Sequence, residues 1–525
     1  MAALYRNVRQ GHTCAQRAQP IQATLGDVPT AYKPVLWTRE LVMQVLGRDL
    51  QPVSGEDQPW QATGVNRRPS IIEAGDLYIA SAEKGEDKLR QQVPQMFRQG
   101  AVAAIVAGPT PAVQGWSPLY RVADSKAAMS KLGAYARART KATVVGVTGS
   151  VGKTGVKDAL LHVLSQSRPT FANYRNANCG WGLPETLSNL PADVGYAIFE
   201  MGMLGPGSVG PKSERVEPHV ALITALAPAH MGYHGSMDSI AETKAEIVAG
   251  MKSGGTFVVP RDTQWFSILE NKAKSSPQVG RVLTFGEHES ADVRMLEAEI
   301  GATFSIVTAD LLGRRVKFEI GLGGRHWVSN GLAIVATVLA LDADVDVALG
   351  ALRGLTPSFR RGERFRALIA NTKKVVEIID DTWNANPISV AAALEQLRML
   401  RLAPRARRVV YLGDMLELGP EERQMHESLL DTIEQAAVDV VHTVGTLTRT
   451  LHEKLPSKIQ GTHYPNAGAA AKAVPDALSD GDLVLVKGSN GIDMWRIVHA
   501  LVPQRRFARS VPPHWSLADE RSVRH

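Results

Sequence analysis

The residues best suited to chemistry stand together at Val144-Val-Gly-Val-Thr-Gly-Ser-Val-Gly-Lys-Thr154. Gly149, Ser150 and Gly152 form a short turn between a β-branched run and a helical pattern that carries Val156, Leu160, Leu161 and Leu164. A strand entering a helix through glycines aims backbone N–H groups and the positive end of the helix dipole at one point, which suits an anion. Lys153 then reaches the outer phosphates of a nucleoside triphosphate, and the Thr154 hydroxyl is placed for Mg2+. The strict Walker spacing has glycine five residues before Gly152, where this chain has Val147. The motif here is the shorter T-G-S-x-G-K-T. ATP and Mg2+ are the expected cofactors.

Further candidates lie at the ends of apolar runs. Tyr196-Ala-Ile-Phe199 ends on Glu200, a carboxylate suited to Mg2+, and Val220-Ala-Leu-Ile-Thr224 leads to His230, suited to a second metal. Open α/β sheets place ligands at the carboxyl ends of their strands, beside the phosphate turn. A helix from Ser236 carries Lys244, Glu246 and Ile247. Arg360-Arg-Gly-Glu-Arg364 is a basic turn, and guanidinium groups fork around phosphate oxygens.

The elements that position these groups read as α/β throughout. Residues 1–34, with four basic residues against one acid, are an extension without clear periodicity. Leu36–Leu46 has helical spacing, followed by a strand at Asp76–Ala80, a helix at Val93–Gly100 and a strand at Ala101–Val106. This predicts a small α/β domain over 35–140. A central ATP-binding domain over 141–355, with a mostly parallel sheet, follows; its strand-rich stretch 255–320 extends that sheet, and helices run through Leu341 and Leu352. Val375–Ile379, Arg408–Leu412 and Leu483–Val486 alternate with helical patterns, predicting a Rossmann-like domain over 356–503. A basic tail, 504–525, has five arginines against two acids. At 525 residues, 44% hydrophobic and 21% charged, the chain fits three soluble domains. No run spans a bilayer, and two cysteines outside any C-x-x-C fit a reducing cytoplasm. The net charge of +7 lies largely in the two tails, without a stacking platform for nucleic acid. A cytoplasmic monomer acting on small molecules is expected.

Nine motifs stand in a fixed order: T-G-S-x-G-K-T, N-x-x-N with G-L-P, E-M-G, A-H, K-x-E-I, G-x-H-x-x-x-N, D-D-x-x-N-A-N-P, G-D-M-x-E-L-G with His426 downstream, and K-G-S. In this the chain resembles the Mur ligases over about residues 140–500. The resemblance implies an N-terminal UDP-sugar domain, a central ATPase and a C-terminal domain for the amino substrate. It also implies phosphorylation of a carboxylate by ATP, then amide formation with the amine of an amino acid or dipeptide. By position it assigns phosphates and Mg2+ to Lys153 and Thr154, the first metal to Glu200 and the second to His230. Lys244 matches the lysine that becomes a carbamate ligand, and His326 and Asn330 the nucleotide-contact motif. Arg364 matches the arginine reaching the γ-phosphate, Asp381 the acid at the ribose, and Asn384 and Asn386 the place where amino substrate and nucleotide meet.

Trp383 replaces the tyrosine of D-D-x-Y-N-A-N-P, and the segment from Asn173 to Pro184 is two residues longer than the family's. In the first domain, Asn66-Arg67-Arg68 stands for D-S-R, and the later D-G-H is not recognisable after Lys84. These departures raise a second expectation, the same chemistry on a carboxylate that is not a UDP-muramoyl peptide. A nucleotide-binding scaffold without turnover is disfavoured, because every residue type the chemistry needs is present.

Overall fold

The computed structural model describes residues 34–55, 58–80, 85–108, 116, 118–173, 178, 180–228, 231–370, 372–503 and 515–516. Its centre is a ten-stranded sheet in the order 314–320, 305–311, 293–300, 279–286, 255–260, 220–223, 143–148, 196–200, 170–172, 515–516. The pairings from 293–300 through to 170–172 are parallel, and the outer ones antiparallel. The strand Thr143–Thr148 is buried on both faces, as parallel strands under helices are. Val144 faces one core, while Val145 and Val147 face the other with Val156 and Leu160 of helix Lys153–Leu164. That second core is closed by helix Arg325–Ala340 through Val328, Leu332 and Val335. Because 143–148 lies between 196–200 and 220–223, the turn after Thr148 opens at the point where strand order reverses.

Before this body lies a five-stranded sheet ordered 51–54, 119–122, 103–107, 76–79, 64–66, parallel except at its first pair. It shares one continuous hydrophobic cluster with the central body, from Leu36 and Trp37 through Met129 and Leu187 to Phe257. Hydrogen bonds reinforce the join: Trp37 Nε1 donates to Ser188 O at 2.8 Å, and Asn189 Nδ2 to Val65 O at 2.7 Å. After the central body comes a six-stranded sheet ordered 363–368, 375–381, 483–487, 408–413, 440–444, 460–464, parallel except at its first pair. Two cores of its own cover its faces. Polar contacts join it to the central body, among them Ser358 Oγ donating to Asp158 Oδ2 at 2.6 Å and Gln396 Nε2 to Ala302 O at 2.8 Å.

Two expected elements differ in extent. Leu36–Leu46 opens as a strand, Trp37–Thr38, and the helix begins at Arg39 because the Thr38 side chain accepts from Leu41 N as its N-cap. The helix expected at 93–100 spans Glu86–Arg98, and Gly100, at φ +101°, turns the chain into the next strand. The 1–34 extension, apart from Pro34, and most of the 504–525 tail lie outside the described residues. Among the described residues, no helix is long and apolar enough to cross a membrane.

Candidate active site

The turn at the switch point is built for close approach. Gly152 sits at φ +84°, and a Cβ there would meet Asn330 Oδ1 at 2.8 Å; one on Gly149 would run into Thr224 Oγ1. Thr224 closes the turn by donating to Val151 O at 2.6 Å. Lys153 folds back over it, its Nζ donating to Gly149 O at 2.7 Å and Ser150 O at 3.3 Å. The Ser150 hydroxyl is buried and has no hydrogen-bond partner among the described residues. It is a polar group set for a ligand oxygen.

Glu200, 1% exposed at the end of its strand, joins the turn to the rest of the site. Its Oε2 accepts from Thr154 Oγ1 at 2.8 Å and its Oε1 from Asn178 Nδ2 at 2.6 Å. Its backbone N–H donates to Asn173 Oδ1 at 2.8 Å. Lys157, buried behind the turn, donates to Asn173 O at 2.8 Å. A hydroxyl beside a fixed carboxylate is the hard-oxygen donor set that suits Mg2+. Both asparagines fall in the lengthened Asn173–Pro184 segment, which the sequence marked without a role for them; the structure has them hold the carboxylate.

Lys244, on helix Met237–Ala245, is 1% exposed, and its Nζ donates to Met203 Sδ at 3.6 Å. Burial, with the Lys153 charge adding to it, pushes its ammonium well below the ordinary lysine range, favouring the neutral amine. His234 is also buried. Its Nδ1 lies 3.1 Å from Ser239 Oγ, and burial first, then Lys244, disfavour its imidazolium. His230 lies outside the described residues.

From the third body, Arg361 reaches this cluster. Its Nη2 donates to Thr154 Oγ1 at 2.9 Å. Arg364, the arginine expected there, is elsewhere. It lies on strand Glu363–Leu368 and pairs with Glu377 of the neighbouring strand. The basic turn was legible in the sequence, but which of its arginines points at the phosphate turn depends on where the strand begins. Asp381 pairs with Lys487 Nζ at 2.6 Å, and Lys487 also donates to Asn384 O at 3.1 Å. Burial raises the Asp381 carboxyl while Lys487 opposes it. The strand-end K-G-S had marked Lys487 without a role. His326, in the first turn of helix Arg325–Ala340, is disfavoured as imidazolium by its enclosure and by Lys487. Asn330 lies one turn further on, against Gly152. Asn384 is exposed, whereas Asn386 is spent on structure: it caps helix Pro387–Met399, accepting from Ser389 N at 2.8 Å.

The first body presents Arg67 and Arg68 to the central one. Arg67 Nε lies 3.4 Å and Arg68 Nη2 3.8 Å from Glu185 Oε2, and the Arg67 guanidinium sits 5.6 Å from the Trp181 ring centroid. Asn66 Nδ2 donates to Asp76 Oδ2 at 2.7 Å.

A glycine turn at a helix start, a carboxylate–hydroxyl pair and an arginine from the third body form an arrangement whose chemistry suits phosphoryl transfer. The model of the Mur ligase middle domain matches residues 147–338, and that of the Mur ligase glutamate ligase domain matches 363–490. The chain belongs to the Mur ligase family. It is an ATP-dependent ligase. It is 30% identical over 413 residues to the UDP-N-acetylmuramoyl-tripeptide–D-alanyl-D-alanine ligase of Bacillus subtilis, covering 78% of this chain and 87% of that one. The ligase of the same name from Rickettsia prowazekii is 27% identical over 431 residues, covering 81% and 92%. Among solved structures, MurF from Acinetobacter baumannii aligns with a TM-score of 0.72 at 26% identity over 89% of this ligase and 98% of that chain. The three-domain architecture of this Mur ligase is therefore shared along nearly the whole of that relative, the first domain included. The expectation of a different carboxylate, raised by Asn66-Arg67-Arg68, is not favoured.

Proposed function

We propose that this ligase activates the terminal carboxylate of a UDP-N-acetylmuramoyl tripeptide with ATP and joins it to the amine of D-alanyl-D-alanine. The observation that carries the reading is the extent of the likeness: relatives bearing that name match over 87% and 92% of their own length. Residues 35–140 take the UDP-linked carboxylate, 141–355 the ATP, and 356–503 the amine. The carboxylate oxygen attacks the γ-phosphorus, giving an acyl phosphate and ADP. The amine then attacks the carbonyl carbon, expelling phosphate and releasing a proton.

Gly149, Ser150, Gly152 and Lys153 hold the phosphates, Asn330 and His326 the nucleotide, and Asp381, set by Lys487, the ribose. Thr154 and Glu200 fit Mg2+, with His230 as the second-metal ligand; when bound, the cation offsets the charge of the transferring phosphoryl group. Arg361 takes the γ-phosphate role expected of Arg364. Lys244, favoured as a neutral amine, takes up CO2 with release of a proton and becomes an anionic carbamate. Asn384 faces the amine, and Asn386 orders the turn beside it by capping the next helix.

The test supplies ATP, Mg2+, D-alanyl-D-alanine and UDP-N-acetylmuramoyl tripeptide and measures amide product. A kcat/KM of about 10⁴ M⁻¹s⁻¹ or above is expected, and Lys153→Ala should lose at least about a hundredfold while keeping its fold. Amide formation only with some other carboxylate overturns the reading.

A further inference from the structure

Trp383 stands where the family motif has tyrosine, and its indole lies beside two arginines of the turn that faces the phosphate site. The guanidinium carbon of Arg360 is 5.6 Å from the ring centroid and that of Arg361 is 5.8 Å, both within cation–π range. Two cations beside one ring repel each other, and other contacts must offset that repulsion. Arg360 is anchored. Its Nε donates to Thr382 Oγ1 and its Nη2 to Thr382 O, each at 2.8 Å, and its backbone N–H donates to Glu363 Oε2 at 2.8 Å. Arg360 adopts φ +57°, a left-handed conformation that a non-glycine residue keeps only when its surroundings fix it.

The backbone completes the frame. Trp383 N donates to Arg360 O at 3.1 Å, and Gly362 N to Asp380 O at 2.9 Å. The turn and the segment 380–383 are thus one braced unit, and Arg361 is the arm it extends to Thr154 Oγ1. A free arginine side chain samples many rotamers, and a flat aromatic face is well matched to its planar head. With Arg360 fixed on the same indole, the Arg361 head has less freedom to leave the phosphate side.

We propose that Trp383 is a positioning residue for phosphoryl transfer: stacked against Arg360 and Arg361, its indole holds the Arg361 guanidinium at the mouth of the phosphate turn. The proposal rests on the reading of Arg361 as the phosphate arginine. The test uses full-length wild type, Trp383→Leu, Trp383→Phe, Arg361→Ala and the Arg361→Ala/Trp383→Leu double variant. For each, kcat and the KM values for ATP and D-alanyl-D-alanine are measured in the ligation assay. Trp383→Leu is expected to lower kcat about tenfold, with the KM for the dipeptide unmoved. Trp383→Phe, which keeps an aromatic face, recovers to within about threefold of wild type. Added to Arg361→Ala, the leucine substitution costs nothing further, because the group it positions is gone. Equal losses in the Leu and Phe variants, or the same tenfold loss in the Arg361→Ala background, overturn the proposal. A wild-type enzyme without turnover, or Arg361→Ala with wild-type kcat, overturns instead the reading on which it rests.

Discussion

Replacing Lys244 by methionine should make the protein more stable and nearly inactive at once. The two side chains are similar in length and volume, so the change leaves no cavity. What it removes is an amine at 1% exposure whose hydrogen bond among the described residues goes to the sulfur of Met203. A buried polar group so poorly matched costs about 1–3 kcal/mol, and methionine returns that amount to the folded state. The pH dependence changes as well. Burial holds the folded pKa well below 10.5. Between that depressed value and the unfolded one, the unfolded chain carries a proton that the folded chain lacks. Stability therefore rises with pH across this window and is complete above the unfolded pKa; the methionine variant loses the slope. Activity should fall at least about a hundredfold, because the thioether takes up no CO2 and supplies no anion beside the phosphate turn. Urea unfolding at several alkaline pH values gives the stability, and ADP release in the full ligation assay the activity. In Lys244→Ala, added acetate or formate should restore part of the rate. A methionine variant that is less stable than wild type and still turns over would refute this account of the lysine.

Arg361→Ala should lower kcat by about a hundredfold or more, whereas Arg364→Ala, which breaks a partly exposed ion pair, should stay within about threefold; the reverse order of losses in the same assay would restore Arg364 to the site. Asn386→Ala should cost about 1 kcal/mol by uncapping helix Pro387–Met399, read as a lower denaturation midpoint; an unmoved midpoint refutes it. His442 is 6% exposed and pushed down to about 4 by burial. The unfolded chain therefore takes up a proton near pH 6.5 that the folded one refuses, and stability falls as pH drops through that interval, by roughly 3 kcal/mol in full. His442→Asn should flatten this acid limb of the Tm profile, and an unchanged limb counts against the assignment.

The phosphate turn was legible because its signal is local: a β-branched strand, glycines at fixed offsets and a helix are all written within twenty-odd residues, 143–164. Glu200 was legible for a related reason, since it ends an apolar run and strand ends point at the site. Arg361 was not, because sequence matching slides freely across Arg360-Arg-Gly-Glu-Arg364. Only the strand register, which pairs Arg364 with Ile379, fixes which arginine turns inward. Lys487 was missed as a partner of Asp381 because 106 residues separate them and only the parallel pairing of their strands brings them together. Arg67 and Arg68 were read as a lost recognition site. Their pairing with Glu185, a contact between two bodies of the fold, has no signature in either segment alone.

The first and central bodies share an uninterrupted apolar core, while polar contacts such as Ser358 to Asp158 and Arg361 to Thr154 hold the third against them. Shearing a shared core exposes hydrocarbon to water at every increment, whereas a few hydrogen bonds can be exchanged for water at little net cost. The molecule is thus mechanically a block and an arm. In the proposed reading the block holds the carboxylate and most of the ATP contacts, and the arm adds Arg361 at the γ-phosphate and Asp381 at the ribose. In that reading the amine's platform also belongs to the arm, which reaches the block through Arg361 and Ser358. On that reading the asymmetry favours a sequence in time, with the carboxylate and ATP bound first and the amine last. A dead-end analogue of the amine should therefore hold ATP on the enzyme, while an ATP analogue should leave the carboxylate free to exchange.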